Sequence, residues 1–471
     1  MENHNAINNF ITNTFNKDTI EIDDFGNARF MAIINYSYGN KKINSISKVK
    51  IIRNGYQDGK IDIDENDELN INFLHLSFTP NFQDYKYNSN NHSLTINGTS
   101  KKLGKYILEI LIQNGKKMSK ILIAGAGGTP SENVIKSLLE CEKNETIIGM
   151  GSEPSDLILS KASKKYIIPY AVNKEYKNKL LQILNVEKPD LVHFQNDIEI
   201  LEASKLRESI LSTGTKLYMP THEVIENCVD KGKSAVIWEK EGIKIPKTFD
   251  IHTPEDLKRA FDVLGDNDGK IWLRANVGGG GRGALPTNDY EFAKKWIDRF
   301  RGWGEFTGAE LLTEKTVTWL SIWYEGELVV AQTRRRKSWN LGNRTLSGVT
   351  GVTKVGETYS SEEVNTIAQD AIFAIDKRPH GIYGVDMTYD KKGTPNPTEI
   401  NISRFFTTAY FFTKAGLNMP KIFKDIALYN EFPSLEKKIN PLPDGLLWLR
   451  GMDCEPLLTT EDEIFKELIQ L

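Results

Sequence analysis

Between Lys120 and Pro220 short apolar runs alternate with amphipathic stretches, and this alternation restricts the fold more than any other feature of the chain. Ile121-Leu122-Ile123-Ala124 reads as a strand, followed by Gly125-Ala126-Gly127-Gly128 and a helix through Val134–Leu139. A second strand, Thr146–Met150, ends at Gly151; others fall at Tyr166–Pro169 and at Leu191–Phe194, after Pro189-Asp190. Strands that alternate with helices imply a parallel, doubly wound sheet. The glycine turn suggests dinucleotide binding, with Glu153 after the second strand in the place of a ribose-binding acid. Pro130, however, stands where the third glycine of that fingerprint belongs.

The flanking segments have other patterns. Residues 1–117 are dense in Asn and carry alternating β-type runs at Lys48–Ile52, Lys60–Ile63 and Leu69–Phe73. Asn54-Gly55 and Asn97-Gly98 read as hairpin turns, because both residue types tolerate positive φ. A helix over Leu103–Gln113 closes this β-rich domain, and Asn114-Gly115 marks the break after it. From Asp230 the pattern is mixed: a helix over Lys231–Gly242 with a Gly cap, then strands flanking a Gly-rich loop. Further strands fall at Trp319–Tyr324, Leu328–Gln332, Tyr383–Tyr389 and Thr398–Ile400. The stretch from Pro433 is proline-bearing and ends in a helix over Glu461–Leu471.

A chain of 471 residues exceeds what one core organises. We divide it at 1–117, 118–225, 226–432 and 433–471. The fold class is α/β plus α+β. The formal net charge of −3 gives no general attraction to nucleic acid or anionic membrane. The opening MENHNAINNF lacks the basic leader and apolar core of a signal peptide, and no apolar run is long enough to cross a bilayer. Cys141, Cys228 and Cys454 are too far apart for a metal-type spacing and suit a reducing cytoplasm.

Five parts of the chain carry chemistry. Arg274-Ala275-Asn276-Val277 leads into Gly278-Gly279-Gly280-Gly281-Arg282-Gly283, where bare backbone can approach a polyphosphate and point N–H groups at its oxygens. No Gly-Lys-Ser or Gly-Lys-Thr follows, so this is not a P-loop. Asp386, in Tyr383–Met387, and Glu399 with Asn401, in Thr398–Asn401, would share one face if these strands pair antiparallel. Two carboxylates and an amide oxygen are hard donors of the kind magnesium prefers. Asp230-Lys231 opens a helix, from which a lysine reaches phosphate as a point charge. Glu310-Leu311-Leu312 is extended and can bond an adenine edge through its backbone. Arg334-Arg335-Arg336 follows a strand; only Arg334 and Arg336 can share a face, and guanidinium groups suit carboxylate or acyl phosphate oxygens. Arg344 and Arg404 lie within reach of the same region, whereas His193 and His380 read as structural.

The order Asp230-Lys231, Gly-rich loop, Glu310-Leu311-Leu312, Asp386, Glu399-Ile400-Asn401 resembles that of ATP-grasp enzymes, closest to the biotin carboxylase and carbamoyl phosphate synthetase branch. Ile121–Gly128 resembles the Rossmann-like pre-ATP-grasp domain of that branch, and Ser403–Pro420 resembles the stretch after its metal motif. The similarity covers about Lys120 to Phe432. It implies a pre-ATP-grasp domain at 118–225 and an ATP-grasp domain at 226–432, with a lid at about 240–307. It gives Lys231, Arg274 and the loop Gly278, Gly279, Gly280, Gly281, Arg282 and Gly283 to ATP phosphates, and Glu310, Leu311 and Leu312 to adenine. Asp386, Glu399 and Asn401 become ligands of Mg2+, with Mn2+ as an alternative; Arg334, Arg336 and Arg404 are candidates for the substrate on their own guanidinium chemistry, not by the resemblance. Two positions depart from the pattern. Arg274 replaces the lysine of biotin carboxylases, although carbamoyl phosphate synthetases have arginine there. Arg404 also comes one residue later after Asn401 than in those families.

The activity implied is that of a carboxylate–amine ligase: a small-molecule or peptide carboxylate attacks ATP, and the acyl phosphate then meets an amine to form a C–N bond. The alternatives are a bicarbonate- or carbamate-phosphorylating enzyme and a non-catalytic ATP-binding sensor. Against the bicarbonate reading, the chain has one ATP-grasp unit and no glutaminase-like segment. The first domain is open to three roles, namely holding a peptide substrate, mediating a homodimer or binding a regulator.

Overall fold

The computed structural model describes the backbone of 36–38, 41–43, 45–53, 85–88, 93–100, 104–113, 119–141, 145–277, 281, 283–451, 457–460 and 462–463, with side chains from 119 onward except at 141 and 457. The chain divides into two compact units, Met1–Met118 and Ser119–Leu471.

In the first unit β1 (Tyr36–Tyr38) pairs with β2 (Lys41–Ile43). A second sheet takes β3 (Ser45–Arg53), β4 (Tyr85–Asn88), β5 (Ser93–Ser100) and β6 (Gly104–Gln113) in the order β3-β6-β5-β4, antiparallel throughout. Two expectations are corrected here. The segment expected as a helix, Leu103–Gln113, is the inner strand β6, paired on both sides. Its Ile107, Ile110 and Ile112 are β-branched and stiff at χ1, which favours a pleated strand over a helix. Asn97-Gly98 is no turn but lies inside β5, opposite Ile107 and Tyr106; the chain reverses between Ser100 and Gly104, which pair. The runs Lys60–Ile63 and Leu69–Phe73, and the pairs Asn54-Gly55 and Asn114-Gly115, lie outside the described residues.

The second unit begins with the expected alternation. β7 (Lys120–Ala124), β8 (Thr146–Gly151), β9 (Lys164–Ile167), β10 (Leu191–His193) and β11 (Lys216–Leu217) form one sheet in the order β11-β10-β7-β8-β9. Every neighbouring pair is parallel. Ile121, Leu122 and Ile123 are wholly buried, as a parallel strand covered on both faces requires. Beyond β7, Gly127 adopts φ 90°, and its N–H donates to Glu132 Oε1 at 2.9 Å. A Cβ there would lie 2.0 Å from the Asp156 carbonyl oxygen. The turn is a packed corner against the short helix Pro154–Leu157, with that donor already engaged.

β12 (Thr248–Ile251), β13 (Ile271–Ala275), β14 (Leu285–Thr287) and β15 (Phe306–Glu310) form an antiparallel sheet in the order β12-β15-β13-β14. Helices Pro254–Leu264 and Tyr290–Phe300 carry Leu257, Ala260 and Ile297 into one core with Ile251, Ile271, Leu273 and Phe306 of the sheet. The period of two then leaves Arg274 and its register partner Thr307 on the opposite face.

The largest sheet is antiparallel. It is built from β16 (Thr316–Tyr324), β17 (Glu327–Trp339), β18 (Thr353–Thr358), β19 (Gly381–Tyr389), β20 (Pro395–Ile402), β21 (Leu447–Leu449) and β22 (Leu457–Thr459), in the order β20-β19-β16-β17-β18-β21-β22. The segment from Pro433 thus supplies the sheet's last two strands. Of the helix expected over Glu461–Leu471, only 462–463 are described, and they are helical. Trp319, Tyr383, Val385 and Ile400 of this sheet share one core with Leu122, Val192 and Trp238, so the large sheet and the parallel sheet are packed as one body. Among the described residues no helix is long and apolar enough to cross a membrane.

Gly127→Ala is expected to cost about 2–4 kcal/mol, from left-handed strain plus overpacking. Gly214→Ala, at φ 85° with no atom within 4 Å of the added methyl, isolates the backbone cost of about 1–2 kcal/mol. Thermal melts of the two variants should therefore rank Gly127→Ala clearly lower, and equal midpoints would show that the corner is not packed.

Candidate active site

β19 and β20 pair antiparallel with Asp386 directly opposite Glu399 and a register shift immediately after Asp386. Val385, Met387, Ile400 and Ile402 turn into the core, so the alternation leaves Asp386, Glu399 and Asn401 on the other face. Asp386 accepts from the Thr318 hydroxyl at Oδ1 and from Asn401 Nδ2 at Oδ2, 3.0 Å away. The oxygens expected to bind metal thus stand on one face. Among the described residues no group of three or more His, Cys, Asp or Glu could hold a metal ion; the expected set has two carboxylates, with an amide as its third member.

Cations converge on this face from elsewhere. Asp230 caps the helix Lys231–Lys240, accepting from the N–H groups of Gly232 and Lys233, which fixes where Lys231 starts. Lys231 is 7% exposed, and its Nζ lies 3.2 Å from Glu399 Oε2. From β13, Arg274 Nη2 donates to the Thr398 carbonyl oxygen at 2.8 Å. Burial alone would raise the Glu399 pKa, but Lys231, Arg274 and Arg404 together hold it down at about 2. Arg274 Nε, Asn276 Oδ1 and Thr307 Oγ1 are buried with no hydrogen-bond partner among the described residues. Such orphans are costly unless a ligand or water meets them.

The glycine loop joins β13 to β14, which pair as a hairpin. Gly278, Gly279, Gly280 and Arg282 lie outside the described residues. Gly281 (φ 74°) abuts Val349, whose carbonyl oxygen would be 3.1 Å from an added Cβ. Gly283 packs on the Phe306 ring. Glu310 ends β15, and its carboxylate accepts from the Lys247 N–H at 3.1 Å. Leu311 and Leu312 follow as the connection into β16, and no described residue hydrogen-bonds their backbone. An unpaired extended backbone of this kind can meet the edge of a heterocycle.

The arginines separate by role. Arg335 points away, paired with Glu357 at 2.5 and 2.8 Å, as the strand period requires. Arg334 is 1% exposed; burial lowers its pKa to about 9. Arg336 is half-buried, donates to Thr353 and Thr316, and lies over the Trp339 ring. Arg404 bonds Asp197 at 2.5 and 3.1 Å and donates to Asn401 Oδ1. It follows Ser403, whose φ of 56° turns the chain back, with the Ser403 N–H held by the Ile382 carbonyl oxygen at 2.7 Å. Arg344 stands exposed in the turn Gly342–Arg344. His193 is wedged between Phe405 and Phe423, with its pKa lowered by burial to about 4. His380 pairs with Glu325 instead.

Sequence reasoning missed Asn276, Thr318, Asp197 and Arg450. Asn276 had a signal, two residues beyond Arg274 and so on the same face. Thr318 and Asp197 had none, since each is defined by a partner in a distant element. Arg450, just after β21, donates to the Thr407 carbonyl oxygen at 3.0 Å and lowers the Arg334 pKa by charge repulsion. Lys231, Arg274, Arg334, Arg336, Arg404 and Arg450 outnumber Asp386, Glu399 and Asp197. Such a surplus suits an anionic ligand, and the oxygen donors suit a hard divalent cation.

In fold these sheets resemble solved structures of the ATP-grasp, biotin carboxylase-like kind. No family model and no curated protein matches the sequence. Among solved structures, biotin carboxylase from Campylobacter jejuni, in complex with an ATP analogue, superposes with TM-score 0.55 at 17% identity, over 72% of this chain and 76% of that one. Carboxyaminoimidazole ribonucleotide synthase from Aspergillus clavatus, complexed with ATP, gives TM-score 0.54 at 14% identity, over 70% and 81%. L-amino acid ligase from Bacillus licheniformis gives 0.52 at 13%, over 70% and 78%.

Because the folded Glu399 pKa lies below its ordinary value of 4.5, its ion pair contributes stability above that value. The contribution is lost as pH falls from 4.5 towards 2. Thermal melts between pH 6 and pH 3 should therefore fall more steeply for the parent than for Glu399→Gln, and parallel curves would contradict the assignment.

Proposed function

We propose that the chain is an ATP-dependent ligase that activates a carboxylate as an acyl phosphate and joins it to an amine. One observation carries the reading: Lys231 and Arg274 reach the Glu399 strand from two other elements, around an in-register pair of carboxylates. That arrangement neutralises acids at a place where further negative charge must be received. Asp386, Glu399 and Asn401 would hold magnesium or manganese, which when bound would disperse charge on the phosphate oxygens.

In this reading Lys231 and Arg274 hold the phosphates, and the Leu311–Leu312 backbone receives the adenine edge. The glycine hairpin closes over the triphosphate and excludes water from the hydrolysable intermediate. Arg336, Arg404 and Arg450 orient the substrate carboxylate for in-line attack on the γ-phosphoryl, with ADP leaving. The amine then adds to the acyl carbon and phosphate departs. Positioning and electrostatics suffice, and no side-chain nucleophile is required. Residues 118–225 would serve as the pre-ATP-grasp domain and 226–432 as the ATP-grasp domain, in a cytoplasmic enzyme.

The test is ADP release across paired small-molecule or peptide carboxylates and amines, with mass detection of the condensed product. Lys231→Met and Glu399→Gln should each lower kcat by about 10²–10³-fold, the usual scale for removing one charge-stabilising group. Turnover with bicarbonate alone would replace the ligase reading by carboxyphosphate formation. Tight ATP binding without ADP release on any pair would point to a sensor.

A further inference from the structure

Arg334 was expected beside the substrate, yet it is 1% exposed and enclosed by its own sheet and the turn beyond it. Its Nη1 donates to Thr353 Oγ1 at 2.9 Å and to Thr408 Oγ1 at 3.0 Å, and its Nη2 to Thr318 Oγ1 at 2.6 Å. The guanidinium lies 4.7 Å from the centre of the Phe406 ring. On its other side Gly356 leaves room for the stem, since a Cβ there would be 3.1 Å from Arg334 Cδ. Among the described residues no carboxylate pairs with it, and burying a cation without one is costly.

The hydrogen-bond directions are forced. Arginine can only donate, so Thr318 Oγ1 accepts from Arg334, and its single proton must go to Asp386 Oδ1. Asp386 is therefore an acceptor at that oxygen. Its other oxygen is fixed in the same manner: Arg404 donates to Asn401 Oδ1, so Asn401 must present Nδ2 to Asp386. Each of two arginines thus stands one side chain away from the same carboxylate. Thr318 and Asp386 are also register partners on β16 and β19, and Thr318 and Arg334 on β16 and β17. The relay runs straight across three strands.

We propose that Arg334 is a positioning residue: through the Thr318 hydroxyl it fixes the rotamer of Asp386 for cation binding, without touching the phosphoryl group. This rests on the reading of Asp386 as a metal ligand. A guanidinium held behind a hydroxyl imposes orientation on the carboxylate, yet leaves the open face of the strand pair to the ligand.

The test uses the full chain and Mn2+, whose binding is followed by EPR with a non-hydrolysable ATP analogue, and separately the analogue's own affinity in EDTA. Thr318→Val removes the relay hydroxyl and keeps the shape. It should weaken Mn2+ at least tenfold, while the metal-free analogue affinity stays within twofold. Thr318→Ser restores the hydroxyl and should recover Mn2+ affinity to within threefold. Should Thr318→Val not fold, Gly356→Ala shifts the guanidinium without deleting either partner, and Mn2+ binding should weaken in the same direction. A general loss of structure would lower the melting midpoint and both affinities together, and would overturn the positioning role. So would unchanged Mn2+ affinity in Thr318→Val and Gly356→Ala beside a loss in Asp386→Asn. If Asp386→Asn itself leaves Mn2+ binding unchanged, the metal reading of the site fails and this proposal with it.

Discussion

Asp386 and Glu399 stand opposite each other on paired strands, and cations from other elements converge on Glu399 and hold its carboxyl charged. Lys231 comes from the first turn of a helix, Arg274 from the small antiparallel sheet, and Arg404 from the turn after β20. Burial by itself would favour the protonated form of Glu399. The low Glu399 pKa is thus the signature of three separate pieces of chain arriving at one place. A protein that needed only stability would gain little from such an arrangement, because buried charge is expensive to desolvate.

The geometry also explains why the unit is built from unlike sheets. The large antiparallel sheet gives the carboxylates a rigid base, with Val385 and Ile400 locked in the core behind them. The small sheet contributes its cation from the edge of a glycine hairpin. The parallel sheet enters through Asp197, at the start of the helix Asp197–Lys205, whose carboxylate grips Arg404 at both oxygens. Because Arg404 also holds Asn401, the orientation of the face bearing Asp386, Glu399 and Asn401 depends on how the parallel sheet sits. Ser403, at φ 56°, carries a local backbone cost of roughly 1–2 kcal/mol, which the rest of the fold must offset.

Much of this was legible in the sequence, for identifiable reasons. Parallel strands covered on both faces read as unbroken apolar runs, and Ile121–Ala124 showed one. The period of two put Glu399 and Asn401 on one face, and Asp386 with them once the two strands were taken to pair antiparallel, as they do. The failures fell where local pattern competes with tertiary pairing. Leu103–Gln113 is apolar enough for a helix, and only its position between two partner strands decides the matter. Asn97-Gly98 has turn chemistry, but sheet pairing prevails over local preference there.

The arginine run shows the limit of reading charge from sequence. Its alternation was predictable, and Arg335 does face away from Arg334 and Arg336. What could not be read was depth. Three threonines, from β16, from the start of β18 and from the turn before Ala409, assemble a socket of hydroxyl acceptors, and Phe406 closes it. No spacing rule links positions 318, 353 and 408. A charged side chain in a run is ordinarily solvated, so burial of one member and exposure of its neighbour is a property of the assembled sheet. That is also why the buried arginine bears on function: enclosed among neutral oxygens, its charge is answered through a single hydroxyl by the carboxylate at the centre of the site.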